Sequence, residues 1–208
     1  MPVLESPNSE LPEWSELAFY DILTLAKHNK ETFTTGNAKQ VLFGIEGTCR
    51  VTYGADKKNL SKNGVLYLPP DVNTYSVQAQ LGKTVLVRVC GNWHEPTGSA
   101  GVFTLSSSGD PENTGDPVSY SRNTQFDNHY HDCDEYWIIV SGKGKIVTEG
   151  EPSLVEQGYC VTTRHGYHHD FPEVHETIRG VYFETTLRGR KREGHLWEHT
   201  HGKASPPT

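Results

Sequence analysis

Residues 128–142 read NHYHDCDEYWIIVSG. Side chains that bind cations, His129, His131 and Glu135, run without a break into the apolar residues Trp137, Ile138, Ile139 and Val140. Along a strand, side chains at i and i+2 share a face, so His129 and His131 project together. Asp132, Cys133 and Asp134 make a bend before Glu135, and a buried strand follows that ends at Gly142. Two imidazoles and a carboxylate aimed at an apolar interior are costly unless something satisfies them. One divalent transition metal does so, and nitrogen plus oxygen donors suit Fe, Mn, Co, Ni, Cu or Zn. The competing reading is an exposed polar hairpin.

The rest of the chain suits strands. It has 208 residues, 34% hydrophobic and 22% charged, with 20 Gly and 12 Pro. Such turn-forming content fits many short strands joined by tight turns. A net charge of -7 does not point to nucleic acid or an anionic membrane as partner. No apolar run reaches membrane-spanning length, and the N-terminus has neither a basic start nor an apolar core of a signal peptide. Cys49, Cys90, Cys133 and Cys160 are widely spaced and form no CxxC pair. They read as reduced thiols of a cytoplasmic protein.

Strand-like runs cover 40–45, 48–53, 65–68 and 85–89, then 135–140, 145–148, 159–163 and 178–186. Residues 12–28 fit a short helix or an entry strand equally. Residues 91–117, rich in Gly, Ser, Pro, Asn and Asp, read as a connector. Amphipathic helices are scarce, so the class is all-β, a sandwich or barrel. The two halves share a pattern. Gln40–Gly47 matches Glu135–Gly142 at an offset of 95, and the run from Lys62 matches the run from Glu156 at an offset of 94. The expected division is therefore 1–100 and 101–208, two copies of one β module.

A fourth donor has two candidates, His168 and His169, after the turn at Gly166. Neighbours on a strand face opposite sides, so both are not expected to serve. At this point the sequence resembles the cupin superfamily. Its first motif, HxH, three or four residues, Glu, six residues, Gly, is met by His129, His131, Glu135 and Gly142. Its second, Gly, five residues, Pro-x-Gly-x-x-His, is met by Gly158, Gly166 and His169, with Arg164 where the Pro belongs. The resemblance implies a double-stranded β-helix, a jelly-roll barrel, with a metal held by His129, His131, Glu135 and His169. In the N-terminal copy, Thr34, Gly36 and Gln40 stand where the first three donors stand, and Tyr75 where His169 stands. That implies a bicupin whose N-terminal module is degenerate and lacks the metal. One barrel with an N-terminal extension is the alternative.

Trp137 shares parity with Glu135 and either lines the cavity or sits in the core. Tyr182, Glu184 and His168 are the candidate acid–base groups; for Tyr182 and Glu184 an alternating strand is the leading account. Arg164 or His165 would meet an anion at the barrel mouth, or lie in a solvated turn. In the tail, Arg188, Arg190, Lys191 and Arg192 form a basic cluster. His195, His199 and His201 follow, either as a second metal site or as part of a tail that packs Leu196 and Trp197 onto the barrel. The resemblance brings a metal-dependent enzyme acting on a small oxygenated metabolite within range, with sugar or sugar-acid isomerase, epimerase or lyase chemistry. An Fe(II)-dependent dioxygenase and a non-enzymatic small-ligand-binding cupin are the alternatives. The expected partner is a small-molecule substrate, and exposed strand edges point to a homodimer.

Overall fold

Short β-branched and aromatic runs, cut by Gly, Asn and Pro, leave strands as the main way to satisfy the backbone. The computed structural model describes residues 1–36, 38–108, 115–189 and 194–207. Its strands are β1 (Val3–Leu4), β2 (Leu17–Leu25), β3 (Lys30–Thr34), β4 (Lys39–Glu46), β5 (Thr48–Tyr53), β6 (Asp56–Ser61), β7 (Val65–Tyr67), β8 (Thr74–Ala79), β9 (Thr84–Gly91), β10 (Ala100–Leu105), β11 (Glu135–Thr148), β12 (Glu151–Glu156), β13 (Cys160–Thr163) and β14 (His169–Glu184). One short helix, α1 (Glu198–His201), lies in the tail. The class is all-β. No described helix is long and apolar enough to cross a membrane. All four cysteines are buried free thiols.

The chain divides into two compact units, Glu16–Trp93 and Met1–Ser15 with His94–Thr208. The sequence placed the division between 100 and 101; here the first fifteen residues belong with the C-terminal unit. Val3 and Leu4 account for this, because they pair with Val161 and Cys160 as an edge strand on β13.

Unit Glu16–Trp93 has two antiparallel four-stranded sheets, ordered β2-β9-β4-β7 and β3-β8-β5-β6. Residues 12–28, open between helix and strand in the sequence, hold β2. Strand β9, TVLVRVCG, is buried at every position, which explains its unalternated apolar run between two neighbours. Leu42, Val51, Tyr75, Val77 and Leu86 are among the core residues of this unit.

The second unit has a six-stranded sheet ordered β1-β13-β11-β14-β10, with β12 on β11. Residues 135–140 and 145–148, read as two strands, are one bent strand. Register shifts between Ile139 and Ser141, and again near Lys143 and Gly144, bend β11 against β14. Such bulges kink a strand without ending it. One half of β11 pairs with β13 and the end of β14. Its other half pairs with β12 and the start of β14. Residues 100–105, inside the expected connector, form edge strand β10 on β14. Their flanking Pro, Gly and Ser hid a short apolar run, Val102-Phe103.

Gly142 sits at the bend with φ +91°. A Cβ there would lie 2.2 Å from the Thr177 carbonyl oxygen. Gly142→Ala is therefore expected to cost more than about 1 kcal/mol. That lowers Tm by at least about 2–4 °C; an unchanged melting curve would contradict the role given to this glycine.

Pairing within the two units repeats in register. Val41–Tyr67, Leu42–Leu66 and Phe43–Val65 correspond, 95 residues on, to Tyr136–Thr162, Trp137–Val161 and Ile138–Cys160. Thr34–Thr74 corresponds to His129–His169. This register sets Thr74, not Tyr75, against His169. The sequence alignment slipped by one because it used different offsets for the two motifs.

Candidate metal centre

His129 and His169 face each other in an isolated antiparallel bridge, each N–H donating to the other's carbonyl, at 3.2 and 2.9 Å. Tyr130, of opposite parity, instead bridges to Leu196, so His129 and His131 turn to one face. The turn before His169 closes despite Arg164 in the proline position. Tyr167 N–H donates to the Arg164 carbonyl, and Gly166 N–H donates to the His131 carbonyl at 2.7 Å. Glu135 opens β11 beside them. His129, His131, Glu135 and His169 are all buried and together could hold one ion.

The inner atoms converge. Nε2 of His129 lies 3.1 Å from Nε2 of His131. Oε2 of Glu135 lies 2.8 Å from His169 Nε2 and 3.4 Å from His131 Nε2. Donors at neighbouring positions on a metal with bonds of about 2.1 Å stand about 3 Å apart. The outer nitrogens are already assigned. Nδ1 of His129 donates to the Asp127 carbonyl at 2.9 Å, Nδ1 of His131 to the Gly194 carbonyl at 3.1 Å, and Nδ1 of His169 to the Tyr167 carbonyl at 3.1 Å. Carbonyls only accept, so every Nδ1 carries a hydrogen and every Nε2 turns inward, as metal-binding imidazoles require. The donor set therefore fits a divalent transition metal.

Without a metal, one proton takes its place. Burial pushes His131 down, but Glu135 and then Glu184 override it and raise its pKa from 6.5 to about 9. Burial drives His129 well below 6.5, helped by His169 and His131. His169 is lowered by burial too, against the pull of Glu135. Burial raises Glu135, but His131 and His169 outweigh it and hold the carboxylate far below its usual range. The cluster thus holds one cationic imidazole, two neutral ones and one carboxylate.

No family model matches the sequence. Over 193 residues the chain is 39% identical to the uncharacterized protein y4oW of Sinorhizobium fredii (strain NBRC 101917 / NGR234), covering 93% of this chain and 89% of that one. Among solved structures it is similar to a mutant of Bacillus subtilis oxalate decarboxylase OxdC, with TM-score 0.63, 9% identity, and 88% and 71% of the two chains covered. AerE from Microcystis aeruginosa follows at TM-score 0.60, 12% identity, and 82% and 88% coverage. Vicilin from Corylus avellana gives TM-score 0.57, 10% identity, and 82% and 75% coverage. The chain belongs to one family with y4oW, and its fold is that of these solved structures.

The other residues singled out in the sequence fall in different places. Glu184 and Tyr182 line a cavity of about 360 Å³ together with Glu135. Glu184 pairs directly across from Glu135, and its Oε1 lies 4.0 Å from His131 Nε2. Its Oε2 accepts the Ser99 N–H at 2.7 Å, while Ser99 Oγ donates to the Tyr182 hydroxyl at 3.1 Å. Burial raises the Glu184 pKa, His131 counters it, and the Glu135 charge adds to the rise. Trp137 lines the same cavity, with Phe103 and Phe126.

His168 is not brought to this site. Strand parity turns it away, to Asp116 Oδ2 at 2.9 Å, where it lines a different cleft with His199. His165 hydrogen-bonds Asp134, and Arg164 lies over the Trp14 ring at 6.0 Å. Cys133 Sγ approaches Glu184 at 4.0 Å, but burial, with Glu184 and Glu135, pushes its thiol far up, so it stays protonated. In the tail, Arg190, Lys191 and Arg192 lie outside the described residues. Leu196 is buried beside Tyr130.

The sequence reading set His195 in the tail with His199 and His201 and did not bring it to this cavity, which it lines; it missed Asp127, which binds His195 through both carboxylate oxygens. Asp127 carried a weak signal, since it shares strand parity with His129 and His131. Nothing in the spacing linked Asp127 to position 195.

Proposed function

We propose that this protein is a metal-dependent cupin enzyme that shifts a proton on a small oxygenated metabolite, an isomerase, epimerase or lyase acting on a sugar or sugar acid. The observation that supports it is a second buried carboxylate, Glu184, in the cavity beside the four donors. His129, His131, Glu135 and His169 would hold the metal, which when bound polarises a carbonyl or hydroxyl oxygen. Glu184 then has the place and the raised pKa of a general acid–base. Ser99 fixes its carboxylate by donating its N–H. Phe103, Phe126 and Trp137 give the substrate's carbon face an apolar wall and exclude water.

We read unit Glu16–Trp93 as the same module without the donors. Thr34, Gly36, Gln40 and Thr74 hold the corresponding positions. Gln40 accepts from the Tyr75 hydroxyl at 2.6 Å, and Arg88 forms a bidentate pair with Asp21 at 2.8 and 2.5 Å. These polar groups satisfy one another and leave nothing for a cation to stabilise.

Turnover of a panel of sugars and sugar acids by the metal-loaded protein, without oxygen, tests the reading. Glu184→Gln is expected to keep its metal and lose about 10²–10⁴-fold in turnover. Full turnover in that variant would remove Glu184 from the chemistry. Turnover that requires oxygen and iron would replace the proposal with a dioxygenase.

A further inference from the structure

The C-terminal segment from Gly194 is tied down at Leu196, Glu198, His199 and Gly202. Leu196 exchanges two backbone hydrogen bonds with Tyr130, both 3.0 Å. Asp116 accepts the N–H groups of Glu198 and His199 at 2.8 and 3.3 Å. The Tyr130 hydroxyl donates to the Gly202 carbonyl at 2.8 Å. This anchoring sets His195 flat against His129, ring centroids 3.5 Å apart and planes 3° apart.

Asp127 fixes the ring further. His195 Nδ1 lies 2.7 and 2.9 Å from its two carboxylate oxygens, and Trp197 Nε1 donates to the same carboxylate at 2.6 Å. The carboxylate accepts only, so Nδ1 donates and Nε2 is the ring nitrogen left for a ligand. His195 lines the cavity that holds Glu135, Glu184 and Tyr182, so a molecule seated there meets it.

We propose that His195 is a substrate-binding residue delivered by the C-terminal segment, and that its Nε2 accepts a hydrogen bond from a hydroxyl or N–H adjacent to the oxygen the substrate gives the metal. The inference rests on the metal-centre reading above. It narrows the substrate to one that carries a hydrogen-bond donor next to its metal-binding oxygen, with a carbon face for Trp137 and Phe126. It also gives the tail two tasks, since the Gly194 carbonyl orients His131 from outside.

The test uses the full chain loaded with Co(II), with metal counted by elemental analysis. Affinity is read from the visible Co(II) spectrum during titration with acetohydroxamate, an oxygen chelator that keeps an N–H, and with its N-methyl analogue, which has none. Wild type and His195→Ala are expected to hold one cobalt per chain each. His195→Ala should bind acetohydroxamate about tenfold more weakly, the worth of one hydrogen bond, and the N-methyl analogue as wild type does. Protection of the Leu196 amide from hydrogen exchange should persist, which separates loss of the imidazole from release of the tail. Equal acetohydroxamate affinity in the two proteins overturns the proposal with the metal centre intact. Loss of cobalt from His195→Ala overturns it by making His195 a metal ligand. Wild type that takes up no cobalt overturns the metal centre itself, and this inference with it.

Discussion

His131→Ala is expected to abolish stoichiometric binding of divalent metal, while Thr34→Ala binds as wild type does. His131 Nε2 stands 3.1 Å from His129 Nε2 and 3.4 Å from Glu135 Oε2, so its loss opens the donor ring. Removing only an outer hydrogen-bond partner of a ligand costs about 10–100-fold in metal affinity; removing the ligand should cost more. Thr34 holds the position of His129 in the other unit, but it is exposed there and brings no donor. The variant has a second effect. His131 carries the positive charge that offsets buried Glu135, and a carboxylate left uncompensated costs about 3–5 kcal/mol. Glu135→Gln removes that charge together with a ligand, so it should lose metal without the same destabilisation. Elemental analysis after dialysis gives the answer, and equal metal in His131→Ala and Thr34→Ala would refute the ligand assignment.

Metal uptake should release one proton per chain at neutral pH, and its apparent affinity should rise about tenfold per pH unit up to about pH 9. The sign follows from the metal-free cluster. His129 and His169 are held below 6.5, and Glu135 is held ionised. His131 alone keeps a proton, up to about 9, and the metal must displace it. Above that pH nothing remains to displace, and the affinity levels off. Stability of the metal-free protein moves the other way. A histidine raised from 6.5 to about 9 contributes stability that is complete below pH 6.5 and disappears as pH climbs through 9. Metal-free protein should therefore lose Tm between pH 6.5 and 9. Metal-loaded protein should not lose it for this reason. A pH-independent affinity across that range would show that the centre binds metal without giving up a proton.

The candidate donors were legible because the requirement is local. HxH, a short bend and Glu135 constrain one another within seven residues; period-two parity allows only one of His168 and His169, and the motif resemblance points to His169. Parity also marked Tyr182 and Glu184 as partners on one face of β14. Two other features were obscured by neighbouring residues. Val102-Phe103 was masked by the Gly and Ser around it, though β14 supplies its pairing. Gly142 looked like a strand end, whereas the Thr177 carbonyl beside it makes it a bend within β11.

His195 and Asp127 were beyond any reading of spacing. They lie 68 residues apart, and their meeting depends on Tyr130 binding Leu196 and on Asp116 receiving the start of α1. The sequence by itself determined the all-β class and the internal repeat, and brought out His129, His131 and Glu135 as candidate donors, since each follows from patterns a strand imposes on nearby residues; His169 came from the motif resemblance. Only the tertiary structure decided which side chains wall the cavity, where the units divide and that the tail reaches the centre. Those outcomes depend on long-range pairing, whose partners no local periodicity specifies.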